Sequence, residues 1–95
     1  MPINNVNITD INDNTKATII YLDNGMLISK KEYANWLEIQ EEYYENYKTS
    51  LLPMTCNEII RFFEEDFKEE KNWPFSKTCI LKFFNSDDLL IFTKE

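Results

Sequence analysis

Apolar and polar residues change rhythm several times along this chain, and each change marks an element. Residues 17 to 22, ATIIYL, form a nearly continuous apolar run rich in β-branched and aromatic side chains. Asp23-Asn24-Gly25 follows, then Met26-Leu27-Ile28. Turn formers between two such runs predict a β-hairpin, with the glycine supplying a positive φ. Upstream, Val6 and Ile8 alternate with Asn5 and Asn7 in a polar, Asn-rich lead-in. Residues 1–14 therefore read either as a mobile segment or as a short extra strand.

Two helix starts come next, each with the same device. Ser29-Lys30-Lys31-Glu32 has capping-box spacing, with Ile28 and Tyr33 placed as a hydrophobic staple. Thr55-Cys56-Asn57-Glu58 repeats it between Met54 and Ile59. These predict helices over about 30–48 and 56–71, the first stopped ahead of Pro53 and the second before Asn72-Trp73-Pro74. Thr78 to Phe84, TCILKFF, reads as a strand, Asn85-Ser86-Asp87-Asp88 as a turn, and LLIFT as the returning strand. The expected fold is α+β over a single domain, residues 1–95. It is a small antiparallel sheet of two hairpins in the order ββ-αα-ββ, with two helices packed on one face. Neither face of 78–84 is cleanly polar. Phe84, Lys82 and Ile80, with Ile91 and Tyr21, would then lie on the sheet's outer face.

Charge sharpens the picture of the helices. The stretch 38–47, EIQEEYYENY, holds four glutamates and three tyrosines. At helical spacing Trp36, Tyr43, Tyr47, Gln40, Tyr33, Tyr44 and Leu37 share one arc, with Ile39 at its edge, and this arc reads as core. Tyr33 and Tyr43 are expected to keep their hydroxyls in water. Glu38, Glu41, Glu42 and Glu45 form a ridge on another face, despite a cost of a few tenths of a kcal/mol per like-charged pair. On the second helix Cys56, Ile59, Ile60, Phe63 and Phe67 make the buried stripe. Glu58, Glu65 and Glu69 make a second acidic row, with Phe62 beside it. Residues 38–70 contain ten Asp or Glu and three Lys or Arg, an excess equal to the whole chain's net charge of −7.

Composition narrows the chemistry. Ninety-five residues bury roughly 60–65% of the unfolded surface, and seven Phe, five Tyr and two Trp supply large buried areas with few rotatable bonds. The absence of histidine removes Ser-His and Cys-His nucleophilic catalysis. A single glycine is too few for a phosphate or dinucleotide loop. Asp10 to Asn14 begins like a calcium loop, but Thr15 stands where Gly is needed and Tyr21 where Glu is. The expectation is no metal, no cofactor and no enzymatic activity. Cys56 and Cys79 read as reduced thiols, Cys56 as apolar filler. No apolar run approaches the roughly 20 residues of a membrane span, and no signal-peptide pattern opens the chain, so a cytoplasmic location is expected. Asn7-Ile8-Thr9 is an incidental glycosylation triplet. Abundant Asn, Ile and Lys against one Arg, one Gly and two Ala point to an AT-rich genome.

An acidic surface repels nucleic acid and attracts a cationic partner. In size, acidity and AT-rich composition the chain looks like the small acidic anti-CRISPR and anti-restriction proteins of phages and mobile elements, though no residue carries over from them. That likeness implies a non-enzymatic inhibitor in a bacterial host cell. It would bind a basic protein, such as a nuclease or other nucleic-acid-binding effector, and block its site as a nucleic-acid mimic. The partner-binding residues would be Glu38, Glu41, Glu42, Glu45, Glu58, Glu65 and Glu69, with Tyr43 alongside. The competing reading of the charge rows is a solvated surface. The rival function is an immunity or antitoxin-like module, or a dimerising accessory protein, using the outer sheet face or an edge strand. Monomer and homodimer are both compatible with the pattern.

Overall fold

The computed structural model describes residues 15–94, so the expectations for the Asn-rich lead-in and the calcium-like loop lie outside the described residues. The ATIIYL run becomes β1, Lys16–Leu22, and MLI the centre of β2, Gly25–Ser29. They pair antiparallel with Leu22 opposite Gly25, so Asp23 and Asn24 make a two-residue turn. Neither Asp23 nor Asn24 has a positive φ, and Gly25, the first residue of β2, supplies it as expected, at 157°. The glycine's role is not confined to the turn. It stands where the last strand, β5, Leu90–Lys94, crosses it in register Gly25 to Lys94.

Period-two alternation assigns β1 and β2 to two faces. Ala17, Ile19, Tyr21, Met26 and Ile28 join one cluster; Ile20, Leu22 and Leu27 join another. Both strands are buried on both faces, which is why the sequence is apolar without interruption.

The first capping box does not form. Ser29 is the last residue of β2, and its Oγ accepts from Lys31 N–H at 3.1 Å and meets the Tyr33 hydroxyl at 3.2 Å. Helix α1 spans only Trp36–Glu42, capped by Asn35, whose Oδ1 accepts from Leu37 N–H at 3.0 Å. Asn35-x-x-Glu38 is itself a cap signal, and it wins because residues 30–35 are needed to carry the chain across the sheet. After a turn at 43–46, residues 47–50 form β3, Tyr47–Ser50, on β1's second edge, with Leu22 opposite Tyr47 and a register shift between Tyr21 and Leu22. Pairing β1's open edge outweighs extending an exposed helix. Met54–Thr55, β4, pairs with the start of β1.

The second box does form. Helix α2, Cys56–Phe67, begins with Glu58 N–H donating to Thr55 Oγ1 at 3.3 Å and Thr55 N–H to Glu58 Oε1 at 2.9 Å. It ends four residues earlier than the sequence predicts. Lys68 takes φ 64° and ψ −77°, and Glu69 N–H donates to Phe67 O at 2.7 Å, a tight γ-turn that throws the chain back. Such a backbone strains any residue with a Cβ. Lys68→Gly is expected to raise the unfolding free energy by about 0.5–1 kcal/mol, read by urea titration; a loss of that size would show that the turn is relaxed.

A short 3₁₀ turn, Glu70–Asn72, leads to α3, Lys77–Phe84, in place of the expected strand. Ser76 caps it, accepting from Cys79 N–H at 3.1 Å. Ile80, Phe83 and Phe84 lie at i, i+3 and i+4 and are buried together. That spacing is helical, and it explains why neither face of the same residues is polar when they are read as a strand. Ile80 and Phe84 thus belong to the core and not to an outer sheet face, and Tyr21 and Ile91 pack against the same cluster.

Among the described residues the order is ββαββααβ, replacing ββ-αα-ββ. The antiparallel sheet runs β3-β1-β2-β5, with β4 also on β1. Helices α2 and α3 cover one face through Cys56, Ile59, Ile60, Phe63, Ile80, Phe83 and Phe84. Helix α1 covers part of the other through Ile39, with Tyr33, Tyr43 and Tyr47 beside it. The two principal helices of the sequence reading therefore lie on opposite faces, not on one. None of the helices described is long and apolar enough to cross a membrane.

A candidate interaction surface

With only two turns, α1 has room for one core contact, and Ile39 takes it. At 100° per residue Trp36 and Leu37 lie about 60° and about 160° around the helix from Ile39, and both stay outside the core. Trp36 is 56% exposed, Leu37 51%, and Tyr44, in the turn that follows, 74%. The sequence reading puts all three in the buried arc; the structure puts them in solvent. A signal was available in the lack of a second aliphatic residue one turn from Ile39. The aromatic side chains with roots in the fold are the half-buried Tyr33, Tyr43 and Tyr47. So Tyr44, not Tyr43 or Tyr33, is the tyrosine with a freely exposed ring.

The predicted acidic ridge divides into tied and untied carboxylates. Glu38 Oε1 accepts from Ala34 N–H at 2.7 Å and so secures the entry to α1. Glu42 Oε1 accepts from Lys31 Nζ at 2.7 Å. That bond is the main cause that holds the Glu42 carboxyl below its usual range, with a smaller contribution from the Tyr43 hydroxyl. The Tyr43 hydroxyl is pushed far above the usual tyrosine value, first by burial and then by the Glu42 carboxylate it bonds, so it stays a neutral donor. Lys31 also lies 5.7 Å from the Tyr33 ring centre. Glu41 and Glu45 are exposed and make no ion pair among the described residues. On α1, i and i+4 neighbours meet, so Glu41 flanks Leu37; Tyr44 and Glu45 follow in the turn after the helix.

The second row sits elsewhere. Glu58 is engaged in its own helix cap. Glu69 makes an exposed 3.5 Å pair with Lys71. Glu65 is exposed without an ion pair among the described residues, flanked by Glu64 and Asp66. Because α2 and α1 cover opposite faces of the sheet, the two rows do not form one surface. The structure gathers Glu41, Glu45, Glu38, Glu42 and Tyr43 around α1 and leaves Glu58, Glu65 and Glu69 on the far side.

A groove of about 1170 Å³ runs between residues 30–36 and residues 47–53, strand β3 and the three residues after it. Lys16, Lys30, Lys31 and Lys48 line it with Tyr33 and Trp36, and Glu32 is its one carboxylate. Two of these cations are engaged: Lys31 with Glu42, and Lys30, whose Nζ donates to Ser86 O at 2.8 Å and sits 4.5 Å from the Phe83 ring centre. Among the described residues no three Cys, Asp or Glu side chains come together as a metal-binding group. Cys56 is buried and its thiol is pushed up by that burial, the reverse of what a nucleophile needs; Cys79 is half-buried and also free. No family model, curated protein or solved structure matches the chain.

Proposed function

We propose that the protein is a non-enzymatic inhibitor that uses the α1 surface to bind a basic, nucleic-acid-binding protein and cover its site. One observation carries the reading. A chain with a net charge of −7 leaves Trp36, Leu37 and Tyr44 in solvent instead of using them in its core, in the same segment, residues 36–45, as the exposed Glu41 and Glu45. Trp and Tyr are the residues that contribute most at interface centres, and charge is favoured at the rim. The carboxylates supply long-range attraction to Lys and Arg arrays, and the aromatic cluster supplies desolvated area. That combination suits an inhibitor of a restriction or CRISPR effector carried by a phage or mobile element, whose target presents Lys and Arg to nucleic acid. The far row, Glu58, Glu65 and Glu69, acts in this reading through net charge and not through contact.

The test uses the purified chain as bait in lysate of a bacterial host, followed by release with duplex DNA or salt. The expected captured protein is basic, is released by DNA, and dissociates near 0.5 M salt, where the screening length falls to about 4 Å. Trp36→Ala with Tyr44→Ala should weaken capture by about 100-fold or more. Glu41→Lys with Glu45→Lys should weaken it while unfolding is nearly unchanged, because neither carboxylate holds the fold. A captured protein that keeps its hold in the presence of DNA, or is indifferent to these four positions, would refute the reading.

A further inference from the structure

We propose that the groove between residues 30–36 and 47–53 is a binding site for a small phosphorylated aromatic ligand of the nucleoside monophosphate class. Its phosphate lies at the Lys16–Lys31 end and its base against Tyr33 and Trp36. The inference stands apart from the α1 interaction surface, with which it shares only Trp36. The groove exists because α1, Trp36–Glu42, is too short to cover its face of the sheet. Residues 30–35 carry the chain across that face, and the floor between them and β3 stays open. The opening of about 1170 Å³ exceeds the roughly 300–1,000 Å³ of ordinary small-ligand sites, so a nucleotide enters with room to spare.

Charge selects an anion. The chain carries −7, yet four of its ten Lys and Arg line this one groove, against Glu32 alone of the described acidic residues. Lys30 turns its ammonium away, to Ser86 O and the Phe83 ring. Lys16 and Lys48 are exposed and make no ion pair among the described residues. Lys31 bonds Glu42, but its ammonium has three donors and keeps two for a ligand. Thr18 stands opposite Ser29. Lys16, two residues before the one, and Lys31, two after the other, therefore come to the same end of the groove. Lys48, near the level of Tyr21 and Leu22, marks the other end. A phosphate between Lys16 and Lys31 meets two ammonium groups, and side chains do the work that a glycine loop does elsewhere.

The walls and floor select a nucleoside. Tyr33 has its ring centre 5.7 Å from Lys31 Nζ, so an aromatic face and a cation already stand side by side at the phosphate end. Trp36, 56% exposed, leaves its ring free to stack, and every base has a π-face to offer it. The floor carries hydroxyls where a ribose would rest. Thr18 is buried beneath the groove, and Ser50 Oγ lies 2.9 Å from the Tyr47 hydroxyl. Charge elsewhere limits the ligand's length. A nucleic-acid strand running on past the groove meets the acidic α1 segment with Glu38, Glu41 and Glu45, which repels it, while a single nucleotide stays among the lysines.

Titrating the isotope-labelled full chain with adenosine 5′-monophosphate at low salt, followed by NMR, tests this. Saturable shifts are expected at the Thr18, Lys31 and Tyr33 amides and the Trp36 indole, with a Kd of about 0.1–1 mM. The site is weak because the net charge opposes any anion at a distance. Adenosine and inorganic phosphate, each filling part of the site, should bind at least about tenfold more weakly. Lys16→Glu should weaken the nucleotide on the order of tenfold, while Lys77→Glu, the same charge change at an exposed position on α3, should leave its Kd within about twofold. A short oligodeoxyadenylate should bind less tightly than the mononucleotide. If Lys16→Glu fails to fold, the wild-type shift map and the two half-ligands decide. No shifts up to about 10 mM nucleotide, shifts centred outside the groove, or equal losses in the two lysine variants would overturn the proposal. So would phosphate that binds as well as the nucleotide, or an oligonucleotide that binds better.

Discussion

Phe63→Ala is expected to cost about 3–5 kcal/mol and to lower the unfolding midpoint by roughly 15–30 °C. Phe63 is fully buried on α2 at the centre of an aromatic group. Its ring centre lies 5.5 Å from Phe67, 5.7 Å from Trp73 and 5.8 Å from Phe62, the first two edge-on. Each edge-on pair adds about 0.5–1.5 kcal/mol beyond burial. Truncation leaves a cavity that neither α3 nor the sheet can fill without moving. A chain of this length holds only about 5–14 kcal/mol in total, so one side chain accounts for a large share. The loss has an optical reporter. Trp73 packs on the Phe63 ring with its indole N–H buried and without an acceptor among the described residues, whereas Trp36 is already in solvent. The variant's native-state emission should shift red through Trp73 alone. A midpoint shift under about 5 °C would show that the cluster is not the centre of the core.

Phe63 was legible in the sequence; the aromatic residues of α1 were not, and the difference is physical. Helix α2 repeats apolar residues over three turns behind a cap that forms as written, so propensity, capping and burial agree. Residues 30–48 also had helical spacing, but their cap signal was duplicated at Asn35, and β1 had an edge that only Tyr47–Ser50 could satisfy. Hydrogen-bonding demand from a distant strand shortened the helix, and shortening it turned the aromatic arc outward. Residues 78–84 show the opposite case. Their own i, i+3, i+4 pattern and the Ser76 cap spell a helix, but dense apolar content also fits a buried strand. The placement of α1 and α2 on opposite faces follows from which side of β1 each chain segment crosses, a long-range choice with no local signal. Hence each acidic row could be read from spacing, while their separation could not.

Gly25→Ala is expected to be the most damaging single-atom addition in the chain. A Cβ at this position would lie 2.1 Å from Thr93 O and 2.8 Å from the Phe92 ring, and φ is +157°, which L side chains rarely adopt. The nearest obstacle is backbone, so rotamer change cannot relieve it. Strand β5 must lift from β2, and Ile91 with it, out of the α2/α3 core. Overpacking costs about 1–3 kcal/mol where neighbours can yield; with an unfavourable φ added, a loss of about 3 kcal/mol or more is expected, or a midpoint lower by more than about 12 °C. The damage should be local before it is global. Amide hydrogen exchange is expected to accelerate at Ile91 and Thr93, which bond to β2, while Ile19 and Ile20 in the β1–β2 ladder stay protected. Binding through Trp36 and Tyr44 should persist in the same variant, since α1 rests on Ile20, Leu22 and Leu27 and not on β5. If Gly25→Ala unfolds the hairpin and β5 together, with one exchange rate throughout, the glycine acts through the turn alone and its clearance for the last strand is incidental.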